Sequence, residues 1–373
     1  MQVPVRLQQA ASLSVRPAVL AAIASSTAIF TATPFMLRPI ANEFGVSLGT
    51  SGWVSTAQLA GFVIGSWTAG RHLRPVRKVF VTLALLGFFA NLCAAAAPSL
   101  VVLGTARFAG GISLGLAAWF AWQDAFGNAD KTSDVAVVGP LVGVFLPPAL
   151  TVIIDSLGVR VMFIVLAVIA LSPILFAAQV DAKDRLRPHR TRHSATRASR
   201  IMLLALGLVT MGGSSVFVYA AAIGTDYSGL EPIAVSLAFS ANALVAVPAA
   251  RWRGRRGPAG MWYLATAVLA FVLPAVHMAP IFVVALISWG FVFFMGMPAA
   301  FALLASHSLF PEERAGDAQA VMALGRVFGP LIGGAFIATG ATTLMGIAAS
   351  SIMCCAAGLM LYVDRDRFTD RRG

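Results

Sequence analysis

Long apolar runs alternate with short polar gaps along almost the whole chain. A helix that crosses the hydrocarbon core of a bilayer needs about 20 mostly apolar residues. Twelve stretches meet that standard, and we number them span 1 to span 12 in chain order. They are 17–39, 50–69, 79–97, 100–123, 135–154, 159–179, 201–223, 232–250, 259–278, 280–304, 318–339 and 343–363. The pattern predicts an all-α polytopic membrane protein with twelve transmembrane helices.

Composition supports lipid as the solvent for most of the chain. Hydrophobic residues make up 58% of it, charged residues only 11%, and the mean hydropathy is +0.84. A soluble domain carries about 25% charged residues, so this chain is too poor in charge to cover a water-facing surface. The net charge of +12 therefore calls for a membrane explanation before a nucleic-acid one.

The longest polar run is Asp181–Arg200, near the middle of the chain. It carries seven basic residues, and apolar spans flank it on both sides. Such a run is typical of a cytoplasmic linker between two membrane bundles. A nucleic-acid patch is the alternative, but the run has no aromatic residue to stack on bases. We predict a six-helix bundle over 1–180, a basic linker over 181–200 and a second bundle over 201–373, with no nucleic-acid partner.

The positions of the basic residues predict the orientation. If the N-terminus is cytoplasmic, 23 of the 27 Lys and Arg residues fall on the cytoplasmic side, and only Arg38 and Arg160 fall on the other. The remaining two, Arg107 and Arg326, lie inside predicted spans. This asymmetry indicates an even number of spans with both termini cytoplasmic. We take the first apolar run as a retained helix and expect a bacterial inner membrane location.

The two halves of the chain resemble each other. Three segments recur in the same order at a shift of 180 to 190 residues, each at the same place within its half. The pairs are 68–78 with 248–257, 96–111 with 278–293, and 138–146 with 328–336. Duplication of a six-helix unit accounts for this order.

Several sequence motifs within these halves resemble those of one known family. GSWTAGRHLRPVRK (65–78) is a Gly-rich start followed by a basic cluster, RFAGGISLG (107–115) has an Arg-x-x-x-Gly pattern, and 310–334 leads into span 11. Together with 6+6 spans and a basic central linker, they resemble the major facilitator superfamily, in its drug and metabolite exporter-like branch. The chain departs from the pattern in one place, because Ala69 or Gly70 stands where the family has Asp.

The resemblance implies a secondary transporter that moves a small solute by alternating access. We expect a monomer surrounded by membrane lipid, with a coupling proton or ion as an optional partner. One alternative is a transporter-like assembly factor or sensor that moves nothing. A channel is disfavoured because no charged ring or pore-lining repeat is visible.

No catalytic or metal-binding pattern is present in the sequence. The five histidines lie in loops or at helix ends, and none has metal-ligand spacing to Cys, Asp or Glu. The three cysteines, Cys93, Cys354 and Cys355, lie in apolar runs and are expected to pack there. We therefore expect no enzyme activity, no metal and no cofactor.

Two charges within predicted spans are the most informative residues, because a charge in the membrane is costly. Arg107 lies about seven residues into span 4 and Arg326 about eight residues into span 11, and neither has an acid near it on its own span. Each can be structural: Arg107 can bond carbonyl groups, and Arg326 can reach the interface. The functional hypothesis is an anionic solute bound between the halves, with Arg107 the stronger contact and Arg326 the weaker.

The remaining candidates are neutral or lie at span ends. No acid falls mid-span. Many proton-coupled exporters of the resembled family carry an acid in the middle of span 1, whereas 25–35 here offers only hydroxyls, so the resemblance disfavours proton-coupled export of cations. Residues that are candidates for the solute cavity are Thr31, Gln58, Asn91, Trp119, Tyr219, Asn242 and Trp289. The resemblance further implies an inner gate in which Asp124 meets Arg71 or Arg74.

Overall fold

A computed structural model describes residues 15–125, 129–182, 194–252 and 254–369. Within these ranges all regular secondary structure is helical. Most of the linker 181–200 lies outside the described residues.

Thirteen α-helices and one 3-10 helix occur in the described ranges. In the first half of the chain they are α1 (Pro17–Thr31), α2 (Thr33–Phe44), α3 (Leu48–His72), α4 (Arg77–Ala95), α5 (Leu100–Ala125), α6 (Ala129–Leu171) and the 3-10 helix Ser172–Gln179. In the second half they are α7 (Arg197–Phe217), α8 (Ala220–Asp226), α9 (Pro232–Ala250), α10 (Ala259–Ala275), α11 (Ala279–Ser306), α12 (Pro311–Ile337) and α13 (Thr342–Thr369).

Eight of the described helical segments are long and apolar enough to cross a membrane, or nine if α1 and α2 form one span bent by 45°. α6 holds two predicted spans, which meet at Gly158, where φ is 83°. That left-handed backbone favours glycine. The 17-residue α10 is a shorter apolar helix.

Two spans predicted as continuous helices are broken. Span 1 is interrupted at Ala32, between α1 and α2. Pro34 explains this break, since it has no N–H to donate to the carbonyl of Phe30. Span 7 is interrupted at Val218 and Tyr219, between α7 and α8; no proline accounts for that break.

Helices of the first half pack closely at glycines, which have no side chain to keep the backbones apart. A Cβ atom at Gly61 of α3 would overlap the carbonyl oxygen of Phe108 in α5, and one at Gly111 of α5 would overlap the carbonyl of Gln58. Close backbone approach of this kind is the usual way in which helices associate in lipid, where burial of apolar surface gives no driving force.

The two halves of the chain meet along several pairs of helices. α3 packs on α12 and α6 packs on α9, which are spans 2, 11, 5 and 8, while the short α2 touches the short α8. Between α3 and α12 the hydroxyl of Thr56 donates to the carbonyl of Val327 at 3.4 Å. Between α2 and α9 the rings of Phe35 and Phe239 lie 5.0 Å apart.

Ion pairs join the halves at both ends of the helices. We call the end that carries Arg38 and Asp226 the outer end, following the predicted orientation. These two side chains approach to 3.2 Å, beside a cavity of about 320 Å³ lined by residues of both halves. At the opposite, inner end Arg251 lies 3.9 Å from Asp134.

Candidate functional site

Arg107 lies in the first third of α5 and is only 2% exposed. Its Nη1 donates to Asn91 Oδ1 of α4 at 3.1 Å, and its Nη2 donates to Gln58 Oε1 of α3. The guanidinium carbon also lies 5.5 Å from the ring centre of Phe163. Three of the predicted site residues are thus brought together inside the first half.

The partners of Arg107 are neutral, so they satisfy its donors without cancelling its charge. No acidic side chain in the described ranges pairs with it. Two buried donors of the cluster, Arg107 Nε and Gln58 Nε2, have no hydrogen-bond partner. The cluster is therefore held by two charge-assisted hydrogen bonds and by burial, and it offers little guanidinium surface to a solute.

Arg326 occupies a different environment in α12. Its side chain is half-buried, and among the described residues it makes no hydrogen bond and no ion pair. It lies on the side of α12 opposite the exposed residues Leu324, Phe328 and Leu331, so it points into the protein. Its electrostatic neighbour is Tyr263 of α10, a fully buried residue whose hydroxyl lies 3.7 Å from Met297 Sδ.

Aromatic rings connect the halves near the middle of the molecule. Phe35 of α2 contacts Phe239 of α9, Phe239 contacts Phe217 of α7 at 5.3 Å, and Phe217 contacts Trp289 of α11 at 5.9 Å. Trp289 is 5% exposed. Beside this chain of rings, Asn242 Nδ2 donates to the carbonyl of Leu286 at 2.6 Å and ties α9 to α11.

The other predicted cavity residues are dispersed. Thr31 ends α1 and is half-buried, and Trp119 of α5 is half-buried with its ring 6.4 Å from that of Phe120. Tyr219 is fully buried, and its hydroxyl donates to the carbonyl of Pro330 at 2.8 Å. Tyr219 stays a predicted cavity residue; in this structure neighbouring helices cover it and its hydroxyl is already bonded.

The predicted inner gate stays a prediction. Arg71 is exposed and stacks over the ring of Trp67 at 4.2 Å, and Arg74 also makes a contact. The side chain of Asp124 lies outside the described residues.

The pair Arg38–Asp226 is a contact that the sequence reasoning missed, because both residues had been assigned only to loops or helix ends. The internal repeat carries a signal for it. Asp226 follows Arg38 by 188 residues, within the repeat shift of 180 to 190, so the two side chains occupy equivalent places in the two halves. Equivalent positions meet at the pseudo-two-fold axis of a duplicated transporter.

Arg256 of the predicted basic loop has a structural role. Its guanidinium donates to the carbonyls of Ala249 and Ala250, which end α9, to that of Trp252 just beyond the helix, and to that of Phe294 in α11. Burial lowers the pKa of Arg256 from its usual value. The charge of Arg256 served only to predict the orientation of the chain, but its guanidinium also caps the C-terminal end of α9.

The sequence pattern of the Major Facilitator Superfamily matches residues 18–334, most of the chain. The chain belongs to this superfamily. Its members are transporters, which fits the expectation that the protein is not an enzyme, and the protein is a multi-pass membrane protein. The exporter-like branch stays a prediction. No curated protein matches the chain.

Solved structures of superfamily members share the fold at low sequence identity. The human organic anion transporter MFSD10 (TETRAN) has a TM-score of 0.69 at 14% identity, with 92% of this chain and 97% of that chain covered. A D-xylose-proton symporter has a TM-score of 0.71 at 15% identity, covering 92% and 95%. The POT family transporter PepTSo has a TM-score of 0.73 at 12% identity, covering 94% and 97%.

Proposed function

We propose that this protein is a secondary transporter that moves a small organic anion across the bacterial inner membrane by alternating access. The chain would form two six-helix bundles, 1–180 and 201–373, joined by the cytoplasmic linker 181–200, with both termini in the cytoplasm. Membership of the superfamily supports the transporter class. The anion rests on one observation: the guanidinium of Arg326 has no hydrogen-bond or ion-pair partner among the described residues.

The described helices support the proposed count of twelve spans. Nine segments qualify by length and composition when α1 and α2 count as one. The 25-residue α3 is long enough to cross, although it is rich in small and polar residues. α10 supplies an eleventh span if the bilayer thins slightly around it. The turn at Gly158 divides α6 into two crossings, which gives twelve.

Arg326 is the better anion ligand of the two arginines. Arg107 already donates to two amide oxygens, so an anion would have to displace Asn91 or Gln58 to reach it. Arg326 has no such partner among the described residues and is half-buried. An unpaired guanidinium within the membrane is costly, and a carboxylate or phosphate that binds it in a planar two-pronged fit reduces that cost. The proposed order of the two contacts is therefore the reverse of the one predicted from sequence.

Binding at Arg326 can favour one conformation because α12, which carries Arg326, packs on α3 of the other half. A solute held at α12 would contact the halves differently in the inward-open and outward-open states. Such differential affinity is what a ligand needs to shift a conformational equilibrium.

Two similar structures agree with parts of this proposal. One carries the name of an organic anion transporter and another that of a proton symporter. We include proton coupling in the proposal as an option, with the direction of transport left open.

Counterflow in proteoliposomes tests the transport function. Vesicles loaded with an unlabelled anion should accumulate the labelled anion transiently and with saturation, because a carrier exchanges one solute for another. Empty vesicles and vesicles with Arg326→Ala serve as controls, and the variant should lose most of the counterflow. A protein that acts as assembly factor or sensor would give no accumulation, and a channel would give neither saturation nor counterflow.

A further inference from the structure

Tyr219 occupies an unusual place, at the break between α7 and α8. It is fully buried, and its hydroxyl donates to the carbonyl of Pro330 in α12 at 2.8 Å. The ring therefore reaches from span 7 to span 11 and does not face a solute cavity.

The tip of the Tyr219 side chain also touches the other half of the chain. A Cβ atom at Gly52 of α3 would overlap Tyr219 Oη and would lie 2.8 Å from its Cζ. On α12, a Cβ at Gly334 would lie 2.7 Å from the same Oη, and one at Gly333 would lie 2.9 Å from Cε2. The hydroxyl thus sits in a notch that exists only because α3 and α12 both present glycine.

The same notch brings the backbones of the two halves together. A Cβ at Gly49 of α3 would overlap the carbonyl oxygen of Gly334 and would lie 2.7 Å from the Cβ of Ala338. Gly49 belongs to the first turns of α3, at the outer end, near the Arg38–Asp226 pair. This is the part of the interface that must separate when the outer side opens.

We propose that Tyr219, seated between Gly52 of α3 and Gly333 and Gly334 of α12 and beside the close approach of Gly49 to Gly334, is the lock that holds the outer ends of the two halves closed. It rests on the proposed function only in that alternating access requires the outer ends to open. Seating the ring demands glycine on α3, because any larger residue there would overlap the hydroxyl.

The lock lies one helical turn from the proposed anion ligand. Pro330, whose carbonyl accepts the Tyr219 hydrogen bond, follows Arg326 by four residues. Proline has no N–H to donate to the carbonyl of Arg326, so α12 can bend between the two residues. A movement of Arg326 toward a bound anion would therefore be transmitted to the Tyr219 hydrogen bond.

Distances between spin labels test the lock without any solute. Cysteines for labelling replace Asn42 and Glu231 at the outer end in one protein, and Leu73 and Leu309 at the inner end in another. All four residues are exposed, and Cys93, Cys354 and Cys355 are replaced in the background. Pulsed electron paramagnetic resonance then gives the ratio of open to closed molecules at each end.

Alanine at the glycines of α3 is the main perturbation. Gly52→Ala and Gly49→Ala should each raise the outer open-to-closed ratio at least about tenfold, the scale of a typical overpacking penalty, while the inner pair moves closer. Gly61→Ala, which overlaps only α5 of its own half, should leave both ratios within about twofold of wild type. Gly358→Ala, with no atom near its Cβ, controls for the substitution itself.

Second-site rescue distinguishes the lock from general loosening. Tyr219→Leu removes the atoms that meet Gly52, so Gly52→Ala with Tyr219→Leu should return toward the ratio of Tyr219→Leu alone. Gly49 meets backbone and Ala338, so the same change should not rescue Gly49→Ala. Equal rescue of both glycine variants, or a Gly52→Ala ratio within about twofold of wild type, would overturn the proposal.

Tyr219→Phe keeps the test decisive if the alanine variants do not fold. The change removes the hydroxyl that packs against Gly52 of the other half, and the lost packing should raise the outer open-to-closed ratio by about two- to tenfold; an unchanged ratio would contradict the lock. These distances need no transport, so a response to the lock variants with no anion counterflow would support the lock and reject the anion proposal alone.

Discussion

Each half of the molecule carries one arginine within the membrane, and the two arginines differ in burial and in hydrogen bonding. In the first half Arg107 is 2% exposed and donates to Asn91 and Gln58. In the second half Arg326 is half-buried and, within the part of the chain that the structure describes, has no hydrogen bond or ion pair. A guanidinium with partners stabilises its own bundle, and one without partners is available to a ligand. On this difference we base the proposal that Arg107 has a structural role and Arg326 a binding role.

The largest expected effect on stability comes from Arg107→Ala. The change leaves a cavity and two buried amides without their donor, which should lower the free energy of unfolding by about 2–5 kcal/mol. Thermal unfolding in detergent measures it. Arg107→Gln, which keeps one donor and fills part of the space, is the matched control and should lose less. A melting temperature of Arg107→Ala equal to that of wild type would contradict a structural role for Arg107.

Asn91→Leu tests the structural role of Arg107 through one of its two acceptors. It takes one acceptor from a buried guanidinium, with an expected loss of about 1–3 kcal/mol in detergent melting. The change should have little further effect when Arg107 is already Ala, since the two residues act through one contact. Additive losses in the double variant would show that Asn91 does not act through Arg107.

Arg326→Leu is the counterpart in the second half. Removal of a charge without a partner should leave stability unchanged or raise it by up to about 2 kcal/mol, in the same melting assay. Transport in proteoliposomes should nevertheless be lost, and Arg326→Lys should recover only part of it because Lys keeps the charge without the planar fork. A destabilisation as large as that of Arg107→Ala would indicate that both arginines are structural.

The smallest effect is expected from the outer ion pair. The side chains of Arg38 and Asp226 are 51% and 21% exposed, so the pair should contribute under about 1 kcal/mol to closure of the outer end. Asp226→Asn should open that end slightly, as seen by spin-label distances, and more so at low salt. Exchange of the two residues, Arg38→Asp with Asp226→Arg, should restore wild-type closure; failure of the exchange would mean that charge is not what joins them.

The all-helical membrane fold could be predicted because the length and hydrophobicity of each helix are local properties of the sequence. The breaks at Ala32 and at Tyr219 were not predicted. Pro34 does mark the first in the sequence, but proline also occurs inside intact helices such as α11, where it is Pro298. The second has no local signal, and Tyr219 is recognisable only from the helices that surround it.

The site was predicted as a set of residues but not as an arrangement. Arg107, Gln58 and Asn91 were all candidates, yet their contact depends on how α3, α4 and α5 rotate against one another. Likewise, the lack of a hydrogen-bond or ion-pair partner for Arg326 among the described residues depends on how the helices around α12 pack. Residue spacing in the sequence shows which residues share a face of one helix. A contact also depends on which face the neighbouring helix presents, and only tertiary packing decides that.

Binding in detergent across a panel of solutes tests the central claim most directly. The panel pairs small carboxylates and phosphates with neutral and cationic analogues of the same size, measured on wild type, Arg326→Ala and Arg107→Gln. We predict that wild type prefers an anion, that Arg326→Ala weakens its binding by about 10- to 100-fold, the scale of lost charge-assisted hydrogen bonds, and that Arg107→Gln stays within a few-fold of wild type. A neutral or cationic ligand preferred by wild type, or anion binding that Arg326→Ala leaves intact, would contradict the account.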